Sequence, residues 1–259
     1  MTGLTNVVFQ CIQKSVNELL PYNTTHILSS ESRHLVFLYW LRHYPSWYEL
    51  SQLFHISQPT LRCEIKTLLP YYAYVLQNEI FLPKQDDLDV GFAGSQFLID
   101  CSSHFRDRVH PGQELYYRGD KHAHFLTAQV TTTVTGFLIH LCVALGHNND
   151  QGVFNNTMRK LVETLNLVGL ADRGYTHQNL VTPNTQPKLS AVDPEEWSKR
   201  HAAHRSKVEN LNSLIKNWGF AAYRVCQEPE VQALALLCVY GLTNMMIKSY
   251  PMFLRKQLY

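Results

Sequence analysis

An α/β fold preceded by a separate helical head is predicted by three features of the 259-residue chain. Residues 1–70 carry apolar positions at three- and four-residue steps between short polar turns, the pattern of packed helices. Residues 97–145 hold apolar and β-branched runs joined by short turns, which predicts antiparallel strands. Beyond residue 150 helical and strand-like segments alternate, so helices are expected to cover the sheet.

Composition narrows the class. Lys and Arg number 23 against 21 Asp and Glu, a net charge of +2 that excludes a strongly basic nucleic-acid coat but allows a local basic patch. The six cysteines are scattered without a Cys-x-x-Cys pair, so neither a structural zinc site nor a disulfide framework is expected. A reducing, intracellular compartment follows, the nucleus in a eukaryote and otherwise the cytoplasm. The first 16 residues do not resemble a secretory signal. The longest apolar run, residues 231–247, is short for a membrane span and interrupted by Gln232, Thr243 and Asn244, so it is read as a buried helix, with no membrane partner.

In chain order, a first helix is expected from residue 6 to about 20, stopped by Pro21 and the polar Asn23-Thr24-Thr25. Residues 35–41 are apolar on every side, which suits an enclosed helix after Ser29-Ser30. Pro45-Ser46 restarts the chain for a short helix from Trp47 to Phe54, and Ser57 caps a third from Pro59 to about Leu69. Three helices with a tight His55-Ile56-Ser57 turn outline a helix-turn-helix at about residues 31–70. Its outward residues would be Gln58, Thr60, Arg62, Cys63 and Lys66, of which Gln and Arg can read base edges. The alternative is a three-helix packing unit that touches no nucleic acid.

The charge-rich Gln85-Asp86-Asp87-Leu88-Asp89 marks a boundary near residue 90, so residues 1–90 form one region and 91–259 another. Strands are expected at 97–100, 114–118, 123–133 and 137–145, a helix at 150 to about 166, and a strand at 167–172. A proline-bearing connection at 182–194 leads to an amphipathic helix from 195 to about 218 and a final helix from 229 to about 248. Two apolar strands therefore end in acid, at Asp100 and Asp172, and a following helix carries Glu209 with Arg205, Asn212 and Lys216 on one face. Gathered in one cleft, three carboxylates repel by about 4 kcal/mol per pair at about 4 Å and an effective dielectric of about 20. Such a group protonates or binds a cation, and oxygen ligands favour Mg²⁺ or Mn²⁺. Taken singly, Asp100 could cap a turn, Asp172 could turn the chain, and Glu209 could pair with Arg205.

These segments resemble a DDE-superfamily transposase of the Harbinger and related insertion-sequence type. The resemblance rests on Phe97-Leu98-Ile99-Asp100, Pro111 with Gln113-Glu114-Leu115-Tyr116-Tyr117 and residues 121–130, the turn at 146–150, Ala171-Asp172-Arg173-Gly174-Tyr175, and His204-Arg205-Ser206-Lys207-Val208-Glu209. It covers about residues 31–225 and implies a ribonuclease-H-like mixed sheet flanked by helices, preceded by a small all-α helix-turn-helix domain. It further implies metal-dependent cleavage of DNA phosphodiester bonds at element ends and strand transfer to a target. Asp100, Asp172 and Glu209 would be the catalytic residues and hold two Mg²⁺ or Mn²⁺ ions. Arg205, Lys216 and Lys121, with Gln58, Thr60, Arg62 and Lys66, would contact double-stranded DNA; a homodimer and a separate DNA-binding protein are further candidate partners. Asp150 is an outside candidate for the acid site, with a helix N-cap as its alternative role, while Tyr175 is expected to pack. The rival function is a domesticated, transposase-derived DNA- or protein-binding factor without nuclease activity.

Overall fold

Hydroxyl caps set the starts of the N-terminal helices. The computed structural model describes residues 2–21, 28–185 and 193–249. In α1 (Asn6–Leu19), α2 (Ser30–His43), α3 (Trp47–Phe54) and α4 (Gln58–Gln77), the side chains of Thr5, Ser29, Ser46 and Ser57 each accept from a backbone N–H of the first turn. Ser46 and Glu49 complete a reciprocal capping box on α3. The expected stop at Asn23-Thr24-Thr25 lies outside the described residues. α3 has its expected bounds, but α4 runs well past Leu69 and through Pro70. A proline inside a helix forfeits one hydrogen bond. Here the flanking Leu68, Leu69, Tyr72, Ala73 and Leu76 are all buried, and their packing keeps the helix continuous.

The sheet begins with β1 (Phe97–Phe105), which runs on through Asp100 rather than ending there. The expected strand at 114–118 is a 3-10 turn over Gln113–Leu115 followed by the two-residue β2 (Tyr117–Arg118). β3 (Ala123–Thr133) pairs antiparallel with β1, β2 and β4 (Leu138–Leu145). The helical stretch after residue 150 breaks at Thr157 into α5 (Asp150–Asn156) and α6 (Met158–Thr164). The expected strand at 167–172 contracts to β5 (Gly169–Leu170), which pairs parallel with both β1 and β6 (Leu180–Val181). The path is therefore β4-β3-β1-β5-β6, a mixed sheet with β1 central between antiparallel and parallel neighbours. Phe97 and Ile99 face α5 and α6 in a core with Phe154, Met158, Val162 and Leu167. Gly169 is required for that pairing, since a Cβ there would stand 2.2 Å from the Phe97 ring.

Of the expected connection at 182–194, residues 186–192 lie outside the described residues. α7 (Pro194–Ile215) follows, then α8 (Gly219–Ala222) and α9 (Pro229–Ser249). α7 ends one residue short of Lys216, so the helical spacing that would place Lys216 on the face of Glu209 does not reach it. Among the described residues, one compact unit comprises residues 2–79 and 214–249, and the other residues 80–213. α8 and α9 thus belong with the N-terminal helices. α9 is long and apolar enough to cross a membrane by composition, yet 61% of its most apolar window is buried. It packs along α4, where Gly241 permits close approach: an added Cβ would stand 2.7 Å from the Leu76 Cβ.

Gly241→Leu is therefore expected to destabilise the helical unit by roughly 1–3 kcal/mol through overpacking. Urea denaturation checks this, and an unshifted midpoint would exclude the proposed close contact.

Candidate active site

Alternation along β1 decides where Asp100 points. Phe97 and Ile99 enter the α5/α6 core, so Leu98 and Asp100 project from the opposite face. There α7 meets the carboxylate: Asn212 Nδ2 donates to Asp100 Oδ2 at 3.0 Å, and the Arg205 guanidinium to Oδ1 at 3.4 Å. The same guanidinium lies 3.5 Å from Asp172 Oδ1 and 3.5 Å from Glu209 Oε1. Residues from the middle of β1, the turn after β5 and the middle of α7 thus meet at one cation. Asp172 lies in a tight turn, where Tyr175 N–H donates to its carbonyl and Arg173 N–H to its carboxylate.

Exposure is graded across the cluster. The Asp100 side chain is 18% exposed and Arg205 12%, whereas Asp172 and Glu209 are 54% and 55% exposed. One acid and its counterion form the floor, and two acids open to solvent. Burial pushes the Asp100 carboxyl up to about 6 in spite of Arg205, with Asp150 and Glu209 raising it further.

Behind the opposite face of β1 lies a second polar group. The buried Gln129 side chain donates from Nε2 to the Asp150 carbonyl at 3.2 Å and the Tyr175 hydroxyl at 3.3 Å, and accepts from Thr157 Oγ1 at 3.1 Å. Tyr175 also meets Cys101 Sγ at 3.4 Å, so it is a buried polar link and not merely a packing residue. Burial pushes the Cys101 thiol up to about 12, which keeps it protonated. Asn149, rather than Asp150, caps α5 through Gly152 N–H. The Asp150 carboxylate lies 3.9 Å from Arg118, and one of its oxygens is buried without a hydrogen bond.

The other expected DNA contacts are spread over the two units. Lys121, at the β2–β3 hairpin, is exposed and donates to Ser103 Oγ at 2.7 Å. In the helical unit Arg62 and Lys66 are exposed on α4, with the Arg62 guanidinium 5.1 Å from the centre of the Trp47 ring. Gln58 and Thr60 are half-buried, and the Thr60 hydroxyl is engaged with the capping Ser57 at 2.7 Å. Gln58 and Arg62, with Tyr48, Ser51, Gln52 and Pro59, line an open hollow of about 670 Å³. Lys216 is exposed in the turn after α7. Asn212 and Gln129 are the residues that sequence reasoning did not single out as site residues. Asn212 carries a signal, its three-residue step from Glu209; Gln129 sits in a strand with nothing in the pattern to mark it.

Among the described residues, no three His, Cys, Asp or Glu side chains stand close enough to hold a metal ion directly. The donor chemistry nevertheless fits a hard divalent cation: three carboxylates share one centre, now filled by a monovalent guanidinium. Asn212 Oδ1 is a further oxygen, buried without a hydrogen bond.

Because the Asp100 carboxyl is raised from 3.8 to about 6, the folded state holds its proton more tightly than the unfolded chain. The resulting stabilisation is complete below about pH 4 and lost as pH rises through about 6, by roughly 3 kcal/mol. Asp100→Asn, which cannot ionise, should gain thermal stability relative to wild type between pH 4 and pH 7 in EDTA. Parallel melting profiles for the two proteins would contradict this.

Comparison with known families bears on the same segments. The model of the DDE superfamily endonuclease family matches residues 99–244, more than half of the chain. The match opens one residue before Asp100 and takes in Asp172, Arg205 and Glu209. No curated protein and no solved structure matches the chain. With its mixed sheet flanked by helices and this extent of match, the chain belongs to the DDE superfamily of endonucleases.

Proposed function

We propose that the protein is a metal-dependent DNA endonuclease of transposase type, cleaving phosphodiester bonds at element ends and transferring strands by a two-metal mechanism. The observation that carries this reading is the convergence of Asp100, Asp172 and Glu209, from three separate elements, on one guanidinium. Three acids against one arginine leave an excess of negative charge when all are ionised, which favours divalent cations. Asp100, Asp172 and Glu209 would hold two Mg²⁺ or Mn²⁺ ions, which when bound supply an activated water and stabilise charge on the scissile phosphate. The strand path, with β1 central and carrying the first acid, suits a ribonuclease-H-like catalytic domain.

Each residue then has a role set by its place. Asp100, held on both oxygens by Asn212 and Arg205, is the fixed member of the trio. Asp172 and Glu209 face the side open to substrate. Lys121, and Lys216 beyond α7, offer exposed charge to the phosphodiester backbone of double-stranded DNA, at element ends and at the target. The helix-turn-helix role falls to α2, α3 and α4, in the region assigned to residues 1–90, with the chemistry in the region from 91 onward. There Arg62 and Lys66 present charge, and Gln58 borders the hollow beside Arg62. Thr60 would act through its capping contact with Ser57. Such an enzyme works where the DNA is, inside the cell.

Two experiments test these assignments. With plasmid or terminal-repeat DNA and Mn²⁺, wild type is expected to nick and Asp172→Asn to lose at least a hundredfold in rate. Equal nicking by both, or none by wild type with either metal, would leave the binding-factor reading in its place. Separately, Arg62→Ala combined with Lys66→Ala is expected to weaken duplex binding and to lower the salt-dependence slope by roughly 2. Unchanged affinity and slope would remove α4 from the DNA contact.

A further inference from the structure

Arg205 does not pair with its acids as Arg33 and Arg118 pair with Glu64 and Asp120. Arg33 meets Glu64 at 2.6 Å, and Arg118 holds Asp120 through two parallel bonds of 3.0 Å. Arg205 spreads two terminal nitrogens over three carboxylates at 3.4, 3.5 and 3.5 Å. Charge-assisted pairs that are held for their geometry run about 2.7–2.9 Å, so these contacts are loose. Its Nε is buried without a hydrogen bond, so even the donor fork is incompletely used. The guanidinium therefore sits as a central charge serving three acids rather than as a directed bond to any one of them.

Resting on the metal-site reading above, we propose that Arg205 is the resident counterion of the acid cluster. A divalent cation and the guanidinium compete for one position, and the displaced Arg205 side chain then pairs with a DNA phosphate. Without metal, Arg205 offsets the mutual repulsion of the trio and keeps the acids gathered. With metal, its positive charge beside the ion would be repulsive, and an anionic phosphate is the partner that relieves it. Asp172 and Glu209 are more than half exposed, so the cluster opens to solvent on their side. Metal loading and DNA binding are thereby coupled through one side chain, and the coupling is reciprocal.

Calorimetric titration with Mn²⁺ alone tests this, using wild type, Arg205→Gln and Asp172→Asn. Arg205→Gln should bind Mn²⁺ about tenfold more tightly than wild type, and Asp172→Asn more weakly. In fluorescence anisotropy at constant ionic strength, Mn²⁺ should raise the affinity of wild type for a labelled duplex, a gain that Arg205→Gln loses. Weaker Mn²⁺ binding by Asp172→Asn, with unchanged or weaker binding by Arg205→Gln, would overturn the counterion role while leaving the metal site standing. No saturable Mn²⁺ binding in any of the three would overturn both. Should Arg205→Gln fail to fold, Arg205→Lys decides the question. Retaining a shorter cation without the fork, it should keep wild-type Mn²⁺ affinity within about threefold and retain the coupling; tenfold weaker Mn²⁺ binding would overturn the competition.

Discussion

Electrostatic repulsion among Asp100, Asp172 and Glu209 is the constraint on which the arrangement of the sheet unit depends. Carboxylates gathered in one cleft repel unless something positive stands between them, and Arg205 does so from within the same helix as Glu209. That placement makes α7 more than a cover for the sheet. It brings an acid, the balancing cation and the Asn212 amide to β1 on successive turns. The sheet supplies the rest, because β1 and β5 are adjacent and parallel, and this puts the turn after β5 alongside the middle of β1.

Rigidity beneath the cluster comes from the other face of the same strand. The Gln129 amide binds the start of α5 and the hydroxyl of Tyr175, three residues beyond Asp172, while Tyr175 meets Cys101, the neighbour of Asp100. A buried network of this sort holds only when its members are satisfied. Here it links the two acid-bearing segments without using either acid. These polar contacts continue the apolar core of Phe97 and Ile99 along the same face of β1, so that one face of the strand is held throughout by α5, α6 and the segment after β5.

The helical unit follows a simpler logic. Ser and Thr caps start the helices, apolar spacing buries them, and Gly241 lets α9 lie close to α4. α4 continues through Pro70, where local propensity argues for a stop that long-range packing overrides. The charged stretch at 85–89 folds as a short 3-10 turn over Gln85–Asp87.

Much of this was present in the one-dimensional pattern. Capping residues, alternating apolar runs and the order of Asp100, Asp172, Arg205 and Glu209 are local properties, and they determined the elements, the α/β class and the candidate acids. Tertiary structure alone decided that Asp100 lies in mid-strand, that Arg205 faces three acids at once, and that Asn212 and Gln129 belong to the site. The physical reason is that side-chain facing within a strand and charge balance within a cluster are set by which elements pack together. Spacing along the chain can propose that three acids meet, but only the fold shows that the cation between them is one of the chain's own side chains.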